Sequence, residues 1–120
     1  TVGVELRDVH TLTLDGDTPR WARIELRGQV PGHVMQRCHT AVTLGKRVLL
    51  MFGGPSHSLS SSVSVLDPVK GTLTPAELRG GHCPPPRHGP CAAAMGGGRV
   101  LVYGGWNGSE MGDLHWLELA

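Results

Sequence analysis

Long apolar runs are missing from this 120-residue chain. The longest purely aliphatic or aromatic run covers residues 48–52, whereas a helix that crosses a bilayer needs about 20 residues. We therefore predict no membrane span and no membrane partner. The chain also lacks an excess of charge of either sign, because eleven basic and ten acidic residues leave a formal net charge of +1. No block of like charge could follow a phosphate backbone, so nucleic acid is not an expected partner.

Cysteine is scarce and odd in number. Cys38, Cys83 and Cys91 argue against a secreted disulfide framework and favour a reducing compartment, so we predict a cytoplasmic protein. The first residues show no initiator Met and no signal-peptide pattern, and we expect an internal piece of a longer protein. Together with His39 and His88, the cysteines offer donors for zinc, but their spacing fits no standard zinc pattern. Buried structural thiols are the favoured interpretation, and we predict no metal and no cofactor.

Glycine and proline are abundant, with 18 and 9 residues, and they fall between short apolar runs. This composition is typical of an all-β protein with many turns. Residues 37–54 are nearly repeated about fifty residues later as residues 87–105. A repeat of this period predicts stacked sheets that cannot fold alone.

Each repeat contains the same order of strands. The complete copy predicts inner strands at residues 39–44 and 48–52, joined by residues 45–47, and then strands at residues 62–66 and 72–78. The apolar inner strands predict burial on both faces. In the second copy, the third strand is expected at residues 113–119, and its pattern Asp-x-His-x-Leu-x-Leu recurs at residues 8–14. We therefore divide the chain into outer strands of a preceding unit (1–30), a complete unit (31–82) and three strands of a following unit (83–120).

These features resemble the kelch repeat. Gly53-Gly54 and Gly104-Gly105 stand at the double glycine that follows the second strand in that family, and Trp21 stands at its fourth-strand tryptophan. Leu73 departs from the pattern where a second tryptophan would stand. The resemblance implies a partial β-propeller of four-stranded antiparallel blades, and about 4–8 blades are needed to close such a ring. We therefore expect the remaining blades from the parent protein, or from a larger assembly. Crowding of inner strands explains the glycines, because a bend without Cβ atoms avoids collision.

The candidate partner-binding residues lie before the inner strands or in the loops after the double glycine. In kelch propellers that bind acidic peptides, arginines at the positions of Arg37 and Arg87 reach the ligand, so the resemblance implies this role here. The alternative for both is a salt bridge to a neighbouring blade. Trp106 is the expected anchor, with packing on the adjacent blade as its alternative. The loops at residues 55–61 and 106–112 contribute the remaining candidates, which are His57, Asn107 and Ser109.

Two functions from different classes follow from these observations. The first is a scaffold without enzymatic activity whose loop face binds a partner protein. The resemblance implies a ubiquitin-ligase substrate adaptor or a cytoskeletal assembly, with F-box or light-sensing domains as plausible neighbours. The second is a propeller domain of a metal-dependent enzyme of the oxidase or specifier type. That enzyme would need His and Tyr clustered at the channel, and the single Tyr103 inside a strand speaks against it. No serine lies in a nucleophile elbow, and we predict that the chain is not an enzyme.

Overall fold

A computed structural model describes residues 6–27, 37–54 and 58–120. The described residues form nine strands in three antiparallel sheets, which confirms the prediction of an all-β fold. The first sheet pairs β1 (Val9–Thr13) with β2 (Arg20–Ile24). The middle sheet contains, in order, β3 (Thr40–Leu44), β4 (Arg47–Met51), β5 (Val63–Asp67) and β6 (Thr72–Pro75). The last sheet contains β7 (Cys91–Gly96), β8 (Arg99–Trp106) and β9 (Glu110–Glu118). No helix in these ranges is long and apolar enough to span a membrane.

Turn chemistry sets the bounds of the strands in the middle sheet. The connection between β3 and β4 is tighter than predicted, because Arg47 already pairs with Leu44 and only two residues remain in the turn. Gly45 begins this turn with a φ of +60°, which glycine adopts readily. After β5, the Asp67 carboxylate accepts hydrogen bonds from the backbone N–H groups of two following residues, and this turn ends the strand. Pro75 lies on the edge strand β6, where its missing N–H is tolerated.

The double glycine of the last sheet does not end its strand as the pattern predicted. β8 continues through Gly104 and Gly105 to Trp106, and β9 begins at Glu110 instead of residue 113. The register shifts between Tyr103 and Gly105, so the pairing passes through an irregularity and then resumes. Glycines with positive φ allow this bulge, because they carry no Cβ that would oppose the left-handed conformation. The strand prediction was therefore wrong here, because the glycines bend the ladder without breaking it.

The middle sheet is covered on both faces. One face packs against the last sheet through the residues Val42, Leu49, Met51, Val63, Val100, Val102 and Leu117. The opposite face packs against the first sheet through Leu50, Leu66, Leu73, Val9 and Leu26. Leu49 and Leu73 are each only 1% exposed, and truncating such a leucine to alanine typically costs about 2–5 kcal/mol. Sheet stacking therefore provides the core of the described residues.

Burial of the inner strands differs from the prediction. β4 is mostly buried, but β3 alternates between buried and exposed positions, and β7 is largely exposed. Both β3 and β7 are edge strands of their sheets. An edge strand lacks a neighbour on one side, so an apolar sequence does not by itself ensure burial on both faces.

Both ends of the stack expose large apolar side chains. On the first sheet, Leu12 and Trp21 are 42% and 70% exposed, and they lie directly opposite each other in the pairing of β1 with β2. On the last sheet, Tyr103 lies opposite Leu114, and these side chains together with Trp116 are more than half exposed. The two outer faces of the stack are therefore apolar and uncovered within the described residues.

Candidate functional site at the double-glycine end

The double glycine of the middle sheet lies where two chain segments cross it. The N–H of Gly53 donates to the carbonyl of Arg87 at 3.0 Å, and the N–H of Gly54 donates to the carbonyl of Arg37 at 3.1 Å. Both glycines have positive φ. A Cβ on Gly53 would stand 2.6 Å from the carbonyl oxygen of Arg37, so any larger residue would displace the backbone there. This junction, which we call the double-glycine end, brings Arg37 and Arg87 together.

Arg87 is fully buried at this junction. Its guanidinium donates two hydrogen bonds to the Asp113 carboxylate, at 2.7 and 2.8 Å, and one to the carbonyl of Gly104 at 2.9 Å. Its Nε donates to the carbonyl of Pro85 at 3.1 Å. The guanidinium carbon also lies 5.8 Å from the centre of the ring of Phe52, which directly follows β4 of the middle sheet. Arg87 therefore links the last sheet to the middle sheet.

These bonds bear on the two interpretations of Arg87. One interpretation was contact with an acidic ligand, and the other was a salt bridge to a neighbouring blade. The guanidinium does form a salt bridge, with Asp113, but Asp113 lies in the last sheet and not in a neighbouring one. The hydrogen bonds from Arg87, followed by that from His115, hold the pKa of Asp113 far below its ordinary range. Arg87 could present its charge to a partner only by breaking this buried network. The candidate binding surface therefore consists of the exposed residues around Arg87 and not of Arg87 itself.

An Asp–His contact accompanies the salt bridge and occurs twice. His115 Nε2 lies 2.6 Å from the Asp113 carboxylate, and His10 Nε2 lies 2.7 Å from the Asp8 carboxylate. These pairs occupy the same positions in the repeated pattern Asp-x-His-x-Leu-x-Leu. Residues two apart on a strand lie on the same face, which brings the two side chains into contact. The repeated sequence pattern thus corresponds to a repeated local contact.

Trp106 lies in a row of three residues at the double-glycine end. Its backbone exchanges two hydrogen bonds with His88, at 2.8 and 3.0 Å, and its other neighbour in the register is Glu110. The imidazole of His88 stacks on the indole with ring centres 6.1 Å apart and an angle of 22°. The Nε2 of His88 lies 2.6 Å from the carbonyl oxygen of Gly54. Nε2 is the donor in this hydrogen bond, because a carbonyl oxygen can only accept. Trp106 is therefore held in place although its side chain is 44% exposed.

The remaining candidates differ in their placement. Asn107 and Ser109 are exposed in the short loop between β8 and β9, where the N–H of Asn107 donates to the carbonyl of Ser109 at 3.2 Å. Arg37 is exposed at the same end of the molecule. Trp21 lies on the outer face of the first sheet, away from this end, and His57 lies outside the described residues.

The cysteines do not gather around a metal site. Cys83 Sγ donates to the carbonyl of Ser61 at 2.9 Å, and burial raises the pKa of this thiol. Cys38 and Cys91 are exposed free cysteines, so the interpretation as buried structural thiols was wrong for these two residues. Among residues 6–27, 37–54 and 58–120, no group of three His, Cys, Asp or Glu side chains is arranged to hold a metal ion.

Sequence reasoning missed two acidic residues at this end. Asp113 was recognised as part of a strand repeat but not as the partner of Arg87, and Glu110 was assigned to a loop. The signal for Asp113 was the recurrence of the pattern Asp-x-His at residues 8–10 and 113–115, because a carboxylate that recurs in the repeat suggests a contact that recurs with it. Nothing in the local sequence identifies Glu110 as the neighbour of Trp106, because the bulge in β8 sets that register.

The sheets and the junction define an all-β protein of stacked antiparallel sheets, and comparison with known proteins adds relatives. No protein-family model matches the chain. Adagio-like protein 1 of Oryza sativa subsp. japonica is 33% identical over an alignment that covers 86% of this chain and 18% of that protein. Adagio protein 3 of Arabidopsis thaliana is also 33% identical, over 95% of this chain and 18% of the relative. The chain thus spans about a fifth of the length of these curated relatives.

Proposed function

We propose that this chain is part of a kelch-type β-propeller that acts as a protein-interaction scaffold without enzymatic activity. In this proposal the double-glycine end of the sheets binds a partner protein. The kelch-like double glycines in the sequence and the stacking of antiparallel sheets support the propeller. The similarity to Adagio proteins is consistent with a piece of a much longer protein, whose activity and partners are part of the proposal.

The outer faces of the stack support the continuation of the sheets into further blades. Aligning the two Asp-x-His patterns matches Val9 with Leu114 and Leu12 with Leu117. Val9 packs on the middle sheet, but Leu114 is 59% exposed. Conversely, Leu117 is 2% exposed beneath the middle sheet, but Leu12 is 42% exposed. Each exposed end face is therefore equivalent to a face that is buried inside the stack, and a neighbouring blade of the same type would cover it.

The observation that carries the binding function is the exposed but fixed indole of Trp106. Trp is enriched among the residues that dominate binding energies, and an anchor that is already ordered loses less conformational entropy on binding. His88 provides this order through ring stacking and through the backbone pairing with Trp106. Asn107 and Ser109 are exposed next to the indole and offer hydrogen-bonding groups. This combination of an aromatic anchor and polar neighbours suits a protein partner.

The biological role within this proposal is that of a ubiquitin-ligase substrate adaptor or a member of a cytoskeletal assembly in the cytoplasm. The identity of the partner distinguishes these two roles. Enrichment of ligase components with the parent protein would support the adaptor, and enrichment of cytoskeletal proteins would support the other role.

Affinity capture of the full-length parent protein from its own cells tests the binding face. We expect Trp106→Ala to reduce recovery of specific partners by roughly tenfold or more, the size of effect that a hot-spot residue produces. Met95→Ala is the matched control, because Met95 is also half exposed but lies at the opposite end of the last sheet. Quantitative mass spectrometry would compare the variants after circular dichroism has shown equal folding. Equal recovery of partners by both variants would rule out the double-glycine end as the binding face.

A further inference from the structure

His88, Trp106 and Glu110 lie directly opposite one another on three adjacent stretches of backbone. His88 forms a bridge with Trp106, and Trp106 pairs with Glu110 in the register of β8 and β9. Directly opposite residues of antiparallel strands have side chains on the same face, with Cβ atoms about 4.5–5.5 Å apart. Trp106 therefore has His88 as its neighbour on one side, with the two rings stacked, and Glu110 as its neighbour on the other side.

His88 and Glu110 differ in whether their side chains are available to a partner protein. The imidazole of His88 is engaged with Trp106 and with the carbonyl of Gly54. Glu110 is exposed, and within the described part of the chain it forms no salt bridge. By contrast, the carboxylate of Asp113 in the same strand is occupied by Arg87 and His115. Among residues 6–27, 37–54 and 58–120, Glu110 is thus an exposed carboxylate without an ion-pair partner, next to the exposed Trp106 in the register.

We propose that Trp106 and Glu110 together bind a basic side chain, arginine or lysine, of the partner protein. This inference rests on the proposed function and specifies the chemistry of its binding face. A cation over the indole face is attracted by the ring quadrupole, and the adjacent carboxylate accepts hydrogen bonds from the same cation. Arginine suits the site best, because its planar guanidinium stacks on a ring while its N–H groups reach a carboxylate.

Arg37 and Arg87 suggested an acidic ligand in the sequence, whereas the site at Trp106 and Glu110 is proposed to bind a basic one. An acidic ligand needs a cation that faces it, but the charge of Arg87 is buried and paired with Asp113. Arg37 is exposed at this end of the molecule but lies outside the row of His88, Trp106 and Glu110. The exposed charge beside the fixed indole is that of Glu110. The site around Trp106 therefore selects a cation.

Nuclear magnetic resonance of the full-length parent protein with defined peptides tests this inference. The probes are acetyl-Gly-Arg-Gly-amide, its lysine analogue, and peptides with neutral citrulline or with glutamate in the central position, all at matched ionic strength. The indole N–H signal of Trp106, identified with Trp106→Phe, reports binding. We expect saturable shifts with the arginine peptide, with a Kd on the order of tens of millimolar, and at least roughly threefold weaker binding of the citrulline peptide.

Glu110→Gln provides the decisive variant. It should weaken binding of the arginine peptide and change the affinity of the citrulline peptide much less, so the preference for arginine over citrulline should shrink. A smaller preference should remain, because the indole still attracts the cation. Glu118→Gln is the matched control, because Glu118 lies in the same strand at its opposite end, facing Arg99 in the register, and should change neither affinity.

The outcomes separate this inference from the proposed function. Equal shifts of the Trp106 signal with arginine and citrulline peptides, stronger binding of the glutamate peptide, or no shift with any peptide would each overturn the basic-side-chain site. In any of these cases, loss of partners on Trp106→Ala in the capture experiment would still support the scaffold. Unchanged capture with Trp106→Ala would instead contradict the proposed function itself.

Discussion

Replacing Arg87 by methionine tests how much this buried cation contributes to the stability of the stack. Methionine matches the unbranched aliphatic portion of the arginine side chain but removes the guanidinium. The change deletes the hydrogen bonds to Asp113 and to the carbonyls of Gly104 and Pro85, and it removes the contact with the ring of Phe52. Methionine fills the part of the site that holds the aliphatic portion of Arg87. The loss of stability would therefore report mainly on the polar network, together with the space left by the guanidinium.

The magnitude follows from the exposure of the two partners. Removing one member of a fully buried pair typically costs about 3–5 kcal/mol, because the remaining charge is left without compensation. Here the side chain of Arg87 is 0% exposed, whereas that of Asp113 is 37% exposed and can regain water. The carbonyl of Gly104, by contrast, belongs to a buried residue and loses a donor. We therefore expect Arg87→Met to lower the free energy of unfolding by about 2–4 kcal/mol.

Urea unfolding, followed by far-ultraviolet circular dichroism, measures this change. Arg47→Met is the matched control, because Arg47 is exposed at the start of a strand in the middle sheet and should change stability by no more than about 0.5 kcal/mol. A double-mutant cycle with Asp113→Asn should show that this second change costs less in the Arg87→Met background than in the original chain. A loss for Arg87→Met as small as that for Arg47→Met would refute the reasoning.

Two further predictions concern stability. Gly105→Ala should cost about 1–3 kcal/mol, because φ is +108° and a Cβ would stand 2.7 Å from the carbonyl oxygen of His88. Gly108→Ala is strained by a similar φ of +110° but has no atom within 4 Å, so a cost equal to that of Gly105→Ala in urea unfolding would argue against the close approach. The folded pKa of Asp113 lies below its ordinary value of 3.8, so its contribution to stability is fully present above that pH and is lost as the pH falls through the folded pKa. Asp113→Asn should therefore reduce the dependence of stability on pH below 3.8, and an unchanged dependence would contradict the assigned hydrogen bonds.

Much of the fold was accessible from residue patterns. Alternating Val and Ser predicted the strand that became β5, Pro75 predicted an edge strand, and the sheet order of the complete unit follows the order of its strands. These features are local, because alternation, turn residues and missing N–H groups act within a few neighbouring positions. The prediction was weaker where burial depends on what lies beside a strand. β3 and β7 are apolar in sequence, yet their edge positions leave much of them exposed.

The arrangement of the site came from contacts between distant parts of the chain. Arg87 precedes an inner strand, as its sequence position indicated, but its guanidinium turns inward because Asp113, 26 residues later, lies within hydrogen-bonding distance. The row of His88, Trp106 and Glu110 depends on the bulge at the double glycine, because a change of register by one residue places a side chain on the other face of a sheet. Composition and repeat period thus determined that the chain forms short antiparallel sheets with glycine bends. Which charge is buried and which is exposed depended on register and stacking, since both arise from pairings between residues far apart in sequence.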